Sequence, residues 1–317
     1  MDEASRTPRR RTTRAGLSLG GHMSGATPEE RTRFERRSHS FRIRPKTIMI
    51  NVAAWAIGLA WLVPFVGVAM TAARPLNQTS LGWWNLSPFT LTLNNFISAW
   101  NYPGCPLSLG LRDSFLVALP ATILPMLIGA LAGYGFARFQ TRSRNFVFVT
   151  VVLFMAVPQM MVAVPVYNLM VKLGLVSNLL SLILLHSAWG IPWIILFMRN
   201  FFRTLPTEVE EAARVDGASD FKIFYKIVLP MSLPAMAAIV VFQFMWVWND
   251  FFFAQVLIQN PNWYLSTQCV PRLVGQFVRP FDLLSAGAIL TMIVPIGLYA
   301  VLQRFYIRGL VGWTIKG

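Results

Sequence analysis

Residues 204–234 read TLPTEVEEAARVDGASDFKIFYKIVLPMSLP and form the most highly charged stretch outside the N-terminal tail. Apolar runs lie on both sides of it, at 179–201 and 235–258. A helix needs about 20 apolar residues to cross the hydrocarbon layer of a bilayer, and both runs are long enough. The stretch is therefore predicted to be a polar loop between two membrane-spanning helices.

The first half of this loop is predicted to be a short acidic helix. Thr207 followed by Glu210 matches a capping box, and acidic residues crowd the first turn, where the helix dipole favours them. Gly217 stands where a left-handed residue would end the helix. Val209, Ala212 and Ala213 lie on one face of this helix, and the two alanines would let another surface approach closely.

The second half is predicted to be a membrane-facing helix. Ser219 or Asp220 can cap its start, and Pro230 is expected to stop it. Its apolar positions have the spacing of one helix face: Phe221, Phe224, Tyr225 and Val228. The loop is thus predicted to be a helical hairpin lying beneath the membrane.

The composition of the whole chain indicates an integral membrane protein. Of its 317 residues, 55% are hydrophobic and 13% are charged, and the mean hydropathy is +0.52. Soluble proteins carry about 25% charged residues, so a soluble enzyme and a disordered chain are both excluded. Six apolar segments are long enough to span a bilayer: 48–72, 114–136, 146–169, 179–201, 235–258 and 283–303.

The positive charges orient these spans. The chain has 28 Lys and Arg against 13 Asp and Glu, a formal net charge of +15. With both termini cytoplasmic, 23 of the basic residues fall on the inside and five on the outside, which agrees with the positive-inside rule. The charges form no single patch, so no nucleic-acid partner is predicted. The basic tail, 1–46, is expected to be disordered or to hold anionic lipid headgroups weakly.

Cysteine and histidine are too scarce for most metal sites. The chain has two Cys and three His, whereas a structural zinc needs about four such ligands, and no metal is predicted. Cys105 and Cys269 fall in the two long external loops, 74–112 and 259–282, on the oxidising face of the membrane. A disulfide between them and two free thiols are both compatible with the sequence.

Polar groups within the apolar runs are candidates for a translocation path, because they are costly in lipid. Amides, a carboxylate and an indole ring suit a sugar, which offers hydroxyl groups and a C–H face. The alternative is that these groups hydrogen-bond neighbouring helices. The candidates are Gln159, Gln243, Trp246, Asn249 and Asp250.

The chain resembles a known family, the inner-membrane permeases of ABC importers. The motif of the cytoplasmic loop is reproduced without a gap by Glu211-Ala212-Ala213, Gly217, Ile227 and Leu229-Pro230. Three further pieces are similar to the smaller permease subunit of carbohydrate importers of the maltose/oligosaccharide type: 133–138, 248–251 and the C-terminal ending 303–317. The resemblance covers roughly residues 45–317.

This resemblance implies an all-α fold in which residues 47–317 form a six-span permease domain, with the coupling loop at 203–234 between the fourth and fifth spans. It implies a bacterial inner-membrane location, and a coupling helix seated in a cleft of a cytoplasmic ATPase, where Glu211 accepts a salt bridge. The coupling residues would be Glu211, Ala212, Ala213, Asp216, Gly217, Ile227, Leu229 and Pro230. The C-terminal contacts with the ATPase would be Arg308, Gly309, Lys316 and Gly317.

The resemblance also implies the partners. They are an ATPase dimer that uses ATP and Mg²⁺, a second permease subunit expected to be a different chain, an external solute-binding protein, the sugar and membrane lipids. The sequence contains no Gly-x-x-x-x-Gly-Lys-Ser/Thr loop, so no enzymatic activity and no cofactor are expected in this chain. Two alternatives remain: the same architecture importing an amino acid or polyamine, and a self-contained channel or scaffold.

Overall fold

A computed structural model describes residues 45–274 and 280–314, with side chains up to Phe305. All regular structure in these ranges is helical. The helices are α1 Pro45–Ala72, α2 Leu76–Thr79, α3 Asn94–Trp100, α4 Leu107–Ala118, α5 Pro120–Arg138, α6 Arg144–Leu153, α7 Ala163–Lys172, α8 Leu179–Phe202, α9 Glu208–Val215, α10 Asp220–Ile223, α11 Leu229–Met231, α12 Leu233–Trp248, α13 Phe252–Leu257, α14 Ser266–Arg272 and α15 Phe281–Thr314. Single turns of other helix types lie at Phe154–Ala156, Gln159–Val162, Phe224–Val228 and Pro261–Trp263.

Between four and six segments of the described chain can cross a membrane. Four are long and apolar enough on their own: Pro45–Ala72, Leu107–Arg138, Leu179–Phe202 and Phe281–Phe305. Two further spans result if each bent pair of helices counts as one: Arg144–Ala156 with Gln159–Lys172, bent by 90°, and Asp220–Met231 with Leu233–Trp248, bent by 75°. The described residues are therefore all-helical in their regular structure, with several helices long and apolar enough to cross a membrane.

The apolar segments 146–169 and 235–258 are not continuous helices. The first segment breaks at Pro158, which has no N–H to continue the ladder, and Val157 before it is extended (ψ 116°). The second ends as a helix at Trp248 and restarts at Phe252. Hydropathy predicts both segments correctly as apolar, but it carries no information on where the backbone turns.

The chain has two compact units, which meet in sequence after Trp61. The described part of the first unit is the start of α1, whose apolar side chains are exposed, including Trp55 and Trp61 at 73% each. Exposed apolar surface on this scale is typical of a helix that lies in lipid or against another chain. The second unit, Leu62–Gly317, contains all the other helices.

Glycines bring α5 and α8 into close contact in the core of the second unit. A Cβ on Gly129 would lie 2.5 Å from Cγ2 of Ile194, and one on Gly133 would lie 2.9 Å from Cβ of Met198. This is the small-xxx-small pattern by which membrane helices approach closely and gain van der Waals contact. The two helices therefore form a tightly packed pair.

A disulfide joins the segment before α4 to α14. The Sγ atoms of Cys105 and Cys269 are 2.00 Å apart, and the Cα atoms are 5.4 Å apart. Both residues are almost fully buried, and the hydroxyl groups of Ser114 and Ser266 lie 2.9 Å apart nearby. Of the two possibilities that the sequence leaves open, the structure contains the bridge.

We expect Gly133→Ala to lower stability and Gly135→Ala to leave it nearly unchanged. The first change forces α5 and α8 apart, at a cost of about 1–3 kcal/mol, as overpacked cores show. The second is a matched control in the same helix, because a Cβ added at Gly135 would meet no neighbouring element within 4 Å. Thermal unfolding of the detergent-purified protein, followed by size-exclusion chromatography, measures both. Equal midpoints would contradict the packing described above.

Candidate functional site

The polar loop folds as the predicted hairpin, and its turn is built on Gly217. This residue has φ +79°, a left-handed conformation that costs other residues strain. Its N–H donates to the carbonyl of Arg214 (3.0 Å), and that of Ala218 donates to the carbonyl of Ala213 (2.9 Å). These two bonds are the Schellman pattern that satisfies the last carbonyls of α9. Ser219 then caps α10 by accepting the N–H of Lys222 (3.4 Å).

The predicted capping box is not formed. Thr207 has helical dihedral angles and makes no side-chain cap bond. Glu210 instead turns inward, where it is 2% exposed and bonds to Arg138 and Tyr134 near the end of α5. A charged hydrogen bond to a guanidinium is stronger than one to a backbone N–H, so Arg138 outcompetes the cap. The sequence gives no role to this pair, because its members lie 72 positions apart.

The outward face of α9 carries the residues that the motif singles out. Glu211, Ala212, Asp216 and Gly217 are not buried, and Ala213 is half-buried. Within the part of the chain that the structure describes, neither Glu211 nor Asp216 has an ion-pair partner. The surface therefore presents two carboxylates beside a small residue that permits close approach.

An exposed ion pair closes the hairpin next to this surface. Nη2 of Arg214 lies 3.0 Å from Oδ1 of Asp220, and both side chains are about half exposed. The hydrogen bond from Arg214 to Asp220 raises the pKa of the Arg214 guanidinium, which therefore stays charged. The pair contributes little to stability, as exposed ion pairs generally do.

The second helix of the hairpin differs from its prediction. A π turn lies at Phe224–Val228, Ile223 just before it is buried, and Phe221 and Tyr225 are 68% and 61% exposed. Phe224 and Val228 pack inside the described protein, whereas the exposed rings of Phe221 and Tyr225 leave the membrane-facing position of this helix a prediction. The helix also continues past Pro230 to Met231.

The last three motif residues lie at and beyond this turn. Ile227 and Leu229 are half-buried and Pro230 is exposed. Of the C-terminal candidates, Arg308 and Gly309 lie in α15, in the part whose side chains the structure does not describe. Lys316 and Gly317 lie outside the described residues.

Gln243 is committed to helix packing. Its Nε2 donates to the carbonyls of Ala121 (3.1 Å) and His186 (3.2 Å), and its Oε1 accepts the indole N–H of Trp193 (2.9 Å). Pro125 has no N–H for the Ala121 carbonyl four residues earlier, so the Gln243 amide takes that place. Gln243 therefore has the role that the sequence left as the alternative.

Asp250 is also bonded to the protein. Its carboxylate accepts the N–H groups of Phe253 (3.4 Å) and Ala254 (3.0 Å), which caps the start of α13. Oδ2 also lies 3.5 Å from Nε2 of His186 on α8. The sequence reveals no partner for this aspartate, because His186 lies far earlier in the chain, in another apolar segment.

Asn249 and Trp246 face away from this junction. Asn249 lines a groove of about 580 Å³ between α12 and α15, and its amide bonds to the carbonyl of Met245 in its own turn (2.8 Å). Trp246 is 57% exposed. Gln159 is half-buried at the break in the third apolar segment and is not among the groove residues. The groove is lined by Ala238, Val241, Phe242, Met245, Asn249, Met292, Pro295, Ile296, Tyr299, Leu302 and Gln303.

Metal-binding clusters are absent from the described ranges, where no three His, Cys, Asp or Glu side chains come together. Within those ranges, the His186–Asp250 pair has no third ligand beside it.

Residues 115–311 match the sequence profile of the family described as binding-protein-dependent transport system inner membrane component. A probable ABC transporter permease protein from Pyrococcus horikoshii is 50% identical over 266 residues, which are 84% of this chain and 96% of that protein. The melibiose/raffinose/stachyose import permease protein MelC of Bacillus subtilis is 30% identical over 286 residues, covering 89% and 99% of the two chains.

The fold is also similar to that of a solved membrane protein. A chain of a bacterial ABC transporter involved in the import of the acidic polysaccharide alginate superposes with a TM-score of 0.70 at 21% identity. The match covers 84% of this chain and 99% of that chain. The helical architecture is therefore shared along nearly the whole solved chain.

Because Gln243 packs helices and Asn249 faces the groove, substitutions at the two positions should differ in their effect on stability. We expect Gln243→Leu to destabilise the protein by about 1–2 kcal/mol, because the Ala121 carbonyl loses its donor in a membrane interior. Asn249→Leu, the matched control, should change the unfolding temperature little, since its amide is exposed. Thermal unfolding in detergent tests both variants. A larger loss for Asn249→Leu would reverse the assignment.

Proposed function

The chain belongs to the family of binding-protein-dependent transport system inner membrane components, and we propose that it is the permease subunit of an ATP-driven carbohydrate importer. One observation carries the coupling part of this proposal: the exposed acidic face of α9, held by the Gly217 turn. The sequence contains no phosphate loop, so in an ATP-driven importer the ATP would be bound by another chain, and this surface is where that chain would bind.

In this proposal α9 is the coupling helix. Glu211 and Asp216 offer two carboxylates to a basic cleft, and charge-assisted hydrogen bonds to arginine are among the stronger polar contacts in proteins. Ala212 lies between them and brings no bulk, so a partner surface can reach the helix backbone. The partner is a cytoplasmic ATPase dimer that binds ATP and Mg²⁺, while this chain carries out no chemical step.

The hairpin would present this surface on the cytoplasmic side. Six spans follow if each bent pair is one crossing, and the positive-inside rule then puts both termini, α9 and the Gly217 turn inside. The exposed apolar surface of α1 fits lipid or a second permease subunit, which we propose to be a different chain. The basic tail, 1–46, would lie near the inner leaflet of a bacterial inner membrane. The C-terminal residues Arg308 to Gly317 would lie along the ATPase dimer and contact it.

The carbohydrate assignment rests on the relatives and on the groove. MelC of Bacillus subtilis is a melibiose/raffinose/stachyose import permease protein. The groove combines Asn249, Gln303 and the hydroxyl-bearing Tyr299 with the aromatic ring of Phe242. A small number of polar groups on an otherwise apolar wall is usual for ligand sites, and this set suits sugar hydroxyl groups and C–H faces. An external solute-binding protein would deliver the sugar.

Transport would follow from alternating access. ATP binding closes the ATPase dimer, the seated coupling helix moves with it, and the spans shift between inward-open and outward-open states. ATP must bind one of these states more tightly than the other, because only differential binding shifts a conformational equilibrium.

The coupling surface is tested with Glu211→Arg and Gly217→Val. Charge reversal at position 211 should place a positive side chain against the basic cleft of the ATPase. Valine at position 217 should strain the left-handed turn by about 1–2 kcal/mol. We expect the ATPase to be lost from affinity-purified complexes, while the chain still inserts into the membrane. Glu208→Arg is the control for a charge reversal on the same turn, and Gly217→Asn for a residue that tolerates positive φ. Normal co-purification of both test variants would count decisively against this surface.

The substrate class is tested in proteoliposomes that contain the complete complex and its binding protein. Labelled oligosaccharides of the raffinose type should accumulate in the vesicle lumen only when ATP is enclosed there, on the same side of the membrane as the ATPase. Asn249→Leu should reduce this uptake. An amino acid and a polyamine serve as competing substrates. Uptake of either in place of the sugars would keep the permease assignment and replace the carbohydrate one. Solute flux without ATPase or binding protein would indicate a self-contained channel.

A further inference from the structure

A buried ion pair joins the end of α5 to α9. Nε and Nη2 of Arg138 lie 2.8 Å and 2.7 Å from Oε1 of Glu210, and the Tyr134 hydroxyl donates to Oε2 at 3.1 Å. Nη2 also reaches the carbonyl of Leu205 at 3.3 Å, in the segment that leads into α9. We call these three side chains, Tyr134, Arg138 and Glu210, the clasp.

The clasp is closed to solvent. The side chain of Glu210 is 2% exposed and that of Arg138 is 9% exposed. Both carboxylate oxygens accept a hydrogen bond, and the guanidinium donates to two acceptors. A buried pair with this degree of satisfaction resists separation strongly, because parting it would leave an uncompensated charge in a dry site.

Aromatic rings pack against Tyr134 of the clasp. The ring of Tyr134 lies 5.0 Å from that of Phe224 in the π turn and 5.9 Å from that of Phe202 at the end of α8. Ala213 on α9 packs against the same cluster. The acidic helix is therefore fixed to α5 and α8 at its inner face, opposite the exposed face that carries Glu211.

The covalent connection from α9 to the fifth apolar segment is less direct. It passes through the Gly217 turn, the π turn and the 75° bend before α12. π turns and sharp bends interrupt the regular hydrogen-bond ladder of a helix. A displacement of α9 would be transmitted less directly along this covalent route than through the clasp. The clasp connects α9 to α5, which is tightly packed against α8 through Gly129 and Gly133.

We propose that Arg138 and Glu210 are positioning residues that make α5 and α9 move as one body, so that motion of the coupling helix reaches the α5–α8 pair directly. This inference rests on the proposed function of α9. It assigns force transmission to the buried Glu210 and ATPase contact to its exposed neighbour Glu211. The two adjacent glutamates therefore have separable roles.

The experiment measures whether α5 and α9 keep a constant distance during the ATPase cycle. Both cysteines of the sequence are in the disulfide, so single new cysteines can be labelled selectively. Spin labels at Thr141→Cys, just after α5, and at Val215→Cys, which is 88% exposed on α9, report the distance by pulsed electron paramagnetic resonance. The complete complex is measured without nucleotide and after trapping with ATP and vanadate.

We expect one unchanged distance in both states of the otherwise unaltered protein. In Glu210→Gln and in Arg138→Gln the distance should become nucleotide-dependent, and stimulation of ATP hydrolysis by the loaded binding protein should fall about tenfold, a typical size for allosteric coupling. The charge exchange Arg138→Glu with Glu210→Arg should restore both readouts in part. Lys222→Gln, which removes an exposed charge of the same hairpin, is the control and should change neither.

The readouts separate this inference from the proposed function. Formation of the Cys105–Cys269 disulfide reports folding, and retention of the ATPase reports the Glu211 surface, which these variants leave intact. A folded Glu210→Gln complex that retains the ATPase, with an unchanged distance and full stimulation, would overturn the clasp alone. If single variants fail to fold, a folded charge-exchange protein with a constant distance supports the clasp, and one with a nucleotide-dependent distance and low stimulation refutes it.

Discussion

Hydrocarbon offers no hydrogen-bond partner, and this constraint governs the irregular points of the described apolar segments. Pro125 leaves the Ala121 carbonyl without its helical donor, and the amide of Gln243 supplies one from another helix. Where the fifth apolar segment breaks, the carboxylate of Asp250 accepts the first N–H groups of α13. Polar side chains such as Gln243 and Asp250 therefore hydrogen-bond unsatisfied backbone groups within the apolar segments. Only polar side chains without that role can face a solute.

The need to satisfy backbone groups in hydrocarbon explains which features of the structure the sequence predicts and which it does not. Composition and the positive-inside rule depend on averages over many residues, so they predict a multi-pass helical protein reliably. The Gly217 turn and the Ser219 cap depend on local geometry, which the residue types themselves express. The breaks at Pro158 and after Trp248 depend on whether the surrounding protein satisfies the exposed backbone, and a hydropathy pattern does not contain that information.

Glu210 shows why the candidate site is harder to predict than the fold. A glutamate three residues after a threonine at a helix start has a local partner, and the capping box is the natural expectation. Its actual partner, Arg138, comes from a helix that precedes it by two apolar segments. Glu211, one position later, is rotated by about 100° on the same helix and remains exposed. Tertiary contact therefore gives identical neighbours opposite surroundings.

The two faces of α12 extend this division to the transport path. Phe242, Met245 and Asn249 line the groove, whereas Gln243 faces α5 and α8 and bonds to the carbonyls of both. A displacement of the α5–α8 pair must therefore carry α12 with it or break those bonds in a medium that cannot replace them. On the proposed function, a pull on α9 would pass through the clasp to α5, and from α5 through the Gln243 amide to the wall of the groove. Gln243, which the sequence analysis gives as a candidate for the solute path, would then shift the groove wall without contacting the solute.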